Sequence, residues 1–211
     1  MDRRPSFRPP AAWRGAPVPE EPVLVGERVR LVPLAAEHAP ELRIAGADPA
    51  IWTHLVGDVG PFATAAAAVA WIDAALSDRH AGVRVPFAVT LCGPSGSTGR
   101  TIGSTSVYFE TRWPNRTLEI GSTWLAVDHW RTGANREAKR LLLDWAFDGL
   151  GAERVEFLTD ARNTRSQRAL EGIGAQREGL FRSHVVLPDG TLRDSIGYAV
   201  VRTDWTLSHG K

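Results

Sequence analysis

A single cysteine, Cys92, stands in 211 residues. That excludes an intrachain disulfide framework, and one isolated thiol suits a small core position better than a nucleophilic role. Charge of neither sign prevails. The formal net charge is +1 at pH 7, so no general affinity for nucleic acid or an anionic membrane is expected. Long apolar runs are missing too. The longest small-apolar stretch, near Ala65 to Ile72, falls well short of the ~20 residues a spanning helix needs. Met1 to Glu21 is proline-rich and polar and does not read as a secretory signal, which makes the cytoplasm the expected location. The chain has no internal repeat. It has no Gly-Lys-Ser/Thr after its glycine loop and no Gly-x-Gly-x-x-Gly, so P-loop and Rossmann readings are poor.

What remains is ordinary for a globular chain. Apolar residues make up 43%, and the length suits one core and one domain. Residues 1–22 read as a flexible proline-rich arm, with Phe7 and Trp13 available to pack on the domain or on a second subunit. Residues 23–211 read as the domain. Short strands are expected about the Gly26-Glu27 turn, then a helix around Glu37 to Ala45 that Asp48-Pro49 breaks. A short apolar helix or turn follows at Ile51 to Val56. Thr64 is placed to cap an alanine-rich helix through Leu76. Arg84–Leu91, Thr101–Phe109 and Thr117–Val127 alternate as strands joined by turns at Gly93–Gly99 and Thr111–Arg116, which favours an antiparallel meander.

The most informative stretch is Trp124 to Leu150. Trp124 to Val127 reads as a strand end, and Asp128 to Gly133 as a tight loop. From Ala134 the apolar positions Ala138, Leu141, Leu142, Trp145, Ala146 and Leu150 recur at helical spacing. First-turn amides of such a helix have no partner inside it and point into the loop, where Arg131 and Arg136 add positive charge. Phosphate or pyrophosphate is the natural ligand. An ordinary strand-to-helix connection, with Gly133 serving only the turn, fits the same spacing. Downstream, Arg154–Thr159 is a further strand, Asp160–Ala175 holds a second helix, and Pro188-Asp189-Gly190 turns a hairpin whose strand continues to Tyr198–Val200. Trp205 is expected to complete a terminal pairing.

This stretch resembles the acetyl-CoA-binding motif of the GNAT superfamily of N-acetyltransferases, a loop of pattern Arg/Gln-x-x-Gly-x-Gly/Ala before a helix that often carries Glu-Ala. Glu137-Ala138 anchors the match, and Gly133 falls on the central glycine. Trp130 and Asn135 depart from the pattern. Asn163 and Ser166 resemble the Asn-x-x-Ser element of the ribosomal-protein-type branch, and Ile173-Gly174-Ala175 stands for its Leu-Gly-Phe. The resemblance covers roughly Val23 to Trp205. It implies an α/β fold, the GNAT acyl-CoA N-acyltransferase fold, with a mixed, mostly antiparallel central sheet flanked by helices.

It also implies acetyl transfer from acetyl-CoA to an amine. A protein N-terminal α-amine is the first expectation, a small-molecule amine or antibiotic the second, and a non-catalytic acyl-CoA-binding protein the third. Residues placed on the cofactor are Leu125, Ala126 and Val127, Arg131, Thr132, Gly133, Ala134, Asn135 and Arg136, with Asn163 and Ser166. Glu119, just before Ile120-Gly121, is placed as the base that deprotonates the acceptor, and Ser166 beside the cofactor sulfur. The alternative readings are a solvent-facing strand charge or a partner for Arg116 at Glu119, and a helix-capping neighbour at Ser166. Trp52, Phe62, Glu119 and His184 are placed at the acceptor, and the hairpin near Val185 to Asp194 is placed at a homodimer contact. No metal is expected.

Overall fold

The computed structural model describes residues 22–56, 60–93, 97–109 and 115–208. The expected arm before Pro22, with Phe7 and Trp13, lies outside them, as do residues 94–96 and 110–114 of the two expected turns.

Eight strands form one sheet among the described residues: β1 (Leu24–Val25), β2 (Val29–Pro33), β3 (Arg84–Cys92), β4 (Thr98–Tyr108), β5 (Thr117–Leu125), β6 (Arg154–Asp160), β7 (Gln176–Val186) and β8 (Leu192–Val201). Their order is β1-β2-β3-β4-β5-β6-β8-β7. Every neighbouring pair is antiparallel except β5 with β6, which is parallel. The helices are α1 (Ala39–Ala45), α2 (Ala65–His80), α3 (Ala134–Asp144), α4 (Thr164–Glu171) and α5 (Arg202–Ser208). The mixed, mostly antiparallel sheet agrees with the sequence expectation. Trp205 does not: it lies in α5, and its ring packs 5.9 Å from Phe147. Trp205 closes the core from a helix instead of pairing on a strand.

Strand alternation divides the core between the two faces. Val85, Phe87 and Val89 of β3 point to the face covered by α3, together with Leu118 and Ile120 of β5 and Ala138, Leu142 and Leu143 of α3. Ala88 of β3 and Trp124 of β5 point to the other face, against Leu42 of α1 and Ala68, Ile72 and Ala75 of α2. Thr64 caps α2 as expected, its hydroxyl accepting from Ala67 N at 3.2 Å. The expected helix through Leu150 loosens instead into a π-turn at Trp145–Gly149. No helix among the described residues is long and apolar enough to cross a membrane.

One clamp ties the start of the domain to its centre. The carboxylate of Glu137, in the first turn of α3, accepts from the backbone N–H groups of Glu27, Arg28 and Val29 at 2.9, 2.9 and 2.8 Å. An added Cβ at Gly26 would sit 2.6 Å from the Glu137 carboxyl carbon, so the turn must pass that close. Three bonds to a charged acceptor are broken at once by Glu137→Leu, and a loss of ~2–3 kcal/mol is expected. Urea denaturation of the two proteins measures it; equal midpoints would show that the clamp carries no stability.

Candidate active site

The sheet opens at its centre. Parallel pairing of β5 with β6 covers only Thr117–Glu119 against Arg154–Glu156. On its other side β5 stays paired with β4 up to Leu125. Beyond Glu119, then, β5 and β6 part and leave a gap. A bulge sharpens the departure. Ser106 faces Gly121 and Ser104 faces Trp124, so two residues, Ser122 and Thr123, oppose Thr105 alone. Ser122 takes φ +47°, the left-handed region.

Backbone polarity follows from this register. Ala126 N donates to Ile102 O at 2.8 Å, which makes Gly103 and Leu125 a non-hydrogen-bonded pair. The N–H and C=O of Leu125 therefore face the gap. Its carbonyl accepts from Trp130 Nε1 at 2.9 Å. Of the three residues expected to offer backbone to a cofactor arm, Leu125 presents its N–H to the gap and Ala126 spends its own on β4. Val127 starts a 3-10 turn, Val127–His129.

Gly133 sits at the foot of that loop. Its φ of +94° is left-handed, as is the +61° of Arg131 before it. As the residue preceding α3, Gly133 offers no side chain to cap the helix, so the N–H groups of Asn135 and Arg136 point outward in the first turn. Thr132 bridges the loop, donating to His129 O at 2.9 Å. A cleft of about 690 Å³ borders this end, lined by Arg28, Thr132, Gly133, Arg136 and Arg140. Arg28 comes from the β1–β2 turn that Glu137 clamps. Asn135 Oδ1 is buried and has no hydrogen-bond partner among the described residues. The reason for glycine at position 133 is conformational: an added Cβ would meet only Arg28, at 3.6 Å, whereas φ +94° strains any β-branched residue. Gly133→Val is expected to weaken CoA binding about tenfold or more. Calorimetry with CoA reads this directly, and unchanged affinity in a folded variant would remove the loop from the site.

Trp130, which departs from the family pattern, has a definite place. The Arg165 guanidinium of α4 stacks 3.4 Å from its ring centroid. Trp130 follows β5 and Arg165 follows β6, so the stack spans the mouth of the gap. Asn163 caps α4, with its Oδ1 accepting from Ser166 N at 3.0 Å, and the Ser166 side chain is half-buried.

Glu119 lies at the root of the gap, on the face that α1 and α2 cover. A Cβ on Gly121 would lie 3.4 Å from Glu119 Oε1 and 3.2 Å from the Tyr108 ring. Glycine there leaves room for the carboxylate and the ring to lean together over the strand. Tyr108 OH is 2.5 Å from Ser122 Oγ and accepts from Arg84 Nη1 at 3.2 Å. Buried Arg193 of β8 bonds Ser195 Oγ at 2.8 Å and lies within electrostatic reach of Glu119 and Asp160; burial lowers its pKa. Burial alone would raise the pKa of Asp160, but hydrogen bonds from Arg162 bring it below the usual carboxylate range. His54 Nδ1 lies 3.7 Å from Asp160.

The residues expected at the acceptor fall in two regions. Trp52 and Phe62 are 9% and 2% exposed. They form one aromatic cluster with Trp71 and Trp124, and Trp52 Nε1 donates to Gly46 O at 2.8 Å. His184 is exposed on β7, its ring 5.2 Å from that of Phe181. Tyr198 donates to Glu171 Oε1 at 3.1 Å; burial and that carboxylate raise its pKa, away from proton donation. Sequence reasoning missed Arg28, Arg165, Tyr108, Ser122 and Arg193. It also missed Lys139, which is 6% exposed.

A parallel strand pair that parts beside a positive-φ glycine turn and a helix without a side-chain cap defines an α/β domain whose sheet opens at its centre. An acetyltransferase (GNAT) domain profile matches residues 28–176, and the chain belongs to that family. It is 34% identical over 110 residues to the probable N-acetyltransferase YjcK of Bacillus subtilis, a match covering 52% of this chain and 60% of that protein. The chain thus spans less than two thirds of this relative. A solved protein from T. thermophilus, assigned as an acetyltransferase, shares 39% identity and a TM-score of 0.74, over 88% of this chain and 92% of that one. A GCN5-related N-acetyltransferase from Brucella melitensis shares 32% identity and a TM-score of 0.78, over 89% and 81%.

Proposed function

We propose that the protein transfers an acetyl group from acetyl-CoA to an amine, and that the acceptor is a protein N-terminal α-amine. The observation that carries the reading is the gap itself. It has a carboxylate at its root, at Glu119, and an anion-binding helix start at its mouth, after Gly133. The residues fit the donor. The outward N–H groups of Asn135 and Arg136, with Arg28 and Arg131 beside them, suit a pyrophosphate. Leu125 N–H and the unpartnered Asn135 Oδ1 suit the amides of a pantetheine arm. When bound, acetyl-CoA supplies a reactive thioester.

The chain's own work is to hold the acceptor and take its proton. Glu119 binds the incoming ammonium and removes its proton, directly or through a water. Ser122 and Tyr108 form a hydroxyl pair beside it that orients the amine. An amine approaching from this face meets the half-buried Tyr108 and Ser122 hydroxyls, while Ser104 and Ser106 of β4 are fully buried. That hydroxyl pair suits the polar backbone of an extended peptide better than a bulky apolar amine. The Asn-x-x-Ser helix and the Pro-Asp-Gly hairpin, which resemble the ribosomal-protein-type branch, support the same acceptor. A small-molecule amine is the second reading, and a non-catalytic acyl-CoA-binding protein the third.

Turnover of acetyl-CoA with pooled peptides of varied N-termini, and separately with small amines, tests it. Acetylation of peptide α-amines is expected. Acetylation of small amines alone overturns the acceptor assignment, and CoA binding without any turnover overturns the enzyme assignment.

A further inference from the structure

Lys139 is the strangest side chain in the fold. It sits in the middle of α3, 6% exposed, among Ala138, Leu142 and Leu143, and nothing in the family motif asks for a cation there. Its Nζ reaches both lips of the gap. On β5 it lies 3.5 Å from Thr123 Oγ1, the bulge residue whose hydroxyl is also 2.8 Å from Thr105 Oγ1. On β6 it lies 5.1 Å from the centre of the Phe157 ring, one residue past Glu156, where the parallel pairing ends. A single amine therefore crosses beneath the opening, on the face opposite Glu119.

No carboxylate compensates it. Among the described residues Lys139 has no ion pair, and burial is the only cause of its shifted acidity. The neighbouring charges on its own helix point elsewhere: Glu137 to the β1–β2 turn, Arg136 and Arg140 to the outer cleft. From β4, β5 and β6 the groups that face it are the Thr105 and Thr123 hydroxyls and the Phe157 ring. A cation buried without an anion is costly unless something supplies the negative charge.

We propose that the Lys139 ammonium is the counter-charge for the cofactor's sulfur end, stabilising it as the thiolate that forms when the acetyl group departs. This rests on the acetyl-CoA reading. Thr123 and Phe157 aim the amine: the hydroxyl accepts one N–H, and the ring faces the charge. The base and the counter-charge then act from opposite faces of the sheet, with Glu119 removing positive charge from the acceptor and Lys139 answering negative charge on the donor.

Calorimetry with CoA and with desulfo-CoA, which lacks the thiol, tests this on wild type and Lys139→Met. Wild type is expected to bind CoA about tenfold tighter than desulfo-CoA at pH 7, the scale of a hydrogen bond to a charged group. Its bound CoA should show the ultraviolet absorbance of a thiolate. In Lys139→Met the preference and the thiolate signal disappear while desulfo-CoA binds as before. Equal CoA and desulfo-CoA affinities in wild type overturn the counter-charge and leave the acetyl-CoA reading standing. Failure of wild type to bind either ligand overturns both. Should Lys139→Met not fold, the wild-type preference measured alone decides: it must rise with pH up to about 8, because the thiol gives up its proton beside an amine that is still charged. A preference that stays constant from pH 6 to pH 8 overturns the proposal.

Discussion

Glu119→Gln is expected to lower the rate of acetyl transfer by ~10²-fold or more, the usual scale for a lost general base, while CoA affinity changes little. Glutamine keeps the shape beside Tyr108 and over Gly121 but can neither accept the acceptor's proton nor hold an ammonium by charge. The loss belongs in kcat and in kcat/KM together, because the proton moves in the transition state. Steady-state kinetics with the best peptide, set beside CoA calorimetry, separates the two effects. Normal turnover across pH would reject Glu119 as the base. A variant that loses both turnover and CoA binding would assign it a structural role at the root of the gap.

Lys139→Met carries the second large effect, and its sign is opposite for stability. Burial holds the Lys139 amine at about 8, down from 10.5. Because the folded value lies below the unfolded one, the unfolded chain binds the proton more tightly. The folded state is therefore penalised fully below pH 8, and the penalty fades as pH rises from about 8 to 10.5. At ~1.4 kcal/mol for each pKa unit, methionine is expected to stabilise the fold by up to about 3 kcal/mol at pH 7. The methionine side chain fills nearly the same volume, so little packing is lost. Denaturant unfolding at pH 7 and pH 10 should show the advantage shrinking at the higher value. A variant less stable than wild type at both would mean that the contacts to Thr123 and Phe157 outweigh desolvation. Stability gained together with a lost thiolate preference would mark a residue kept for function at a cost to the fold.

These two residues also show how far the chain could be read without coordinates. The α3 helix and its glycine loop were legible because Ala138, Leu142 and Ala146 keep helical spacing and Gly133 stands at its start. Glu119 was legible through its place before Ile120-Gly121 in a strand. Lys139 was not, because a lysine beside an apolar stripe looks solvent-facing until the partner strands part above it. Glu137 served in the sequence only to align a motif. Its partners are backbone amides at residues 27–29, which carry no side-chain signature. Trp130 looked like a defect in the loop, and its indole in fact bonds Leu125 while its ring faces Arg165. Trp52 and Phe62 were placed at the acceptor because aromatic residues near α1 and α2 invite it, but four-ring packing with Trp71 and Trp124 depends on contacts distant in the chain. The bulge puts the positive φ on Ser122, one residue past Gly121, and a serine does not announce it.

The Glu137 clamp sets an order for assembly. Its hydrogen bonds join residues 108 to 110 positions apart, so a chain emerging from the ribosome has made its first turn long before the carboxylate that fixes it exists. Until α3 is synthesised, β1 and β2 can pair with each other and with β3, yet their turn has no charged acceptor for its amides. The contact is of high sequence separation and closes late. Because Arg28 lies in that same turn, the last local event in building this end of the domain also delivers a basic side chain to the anion-binding loop. A chain truncated before residue 137 should leave the first hairpin open to proteolysis while the full-length protein protects it.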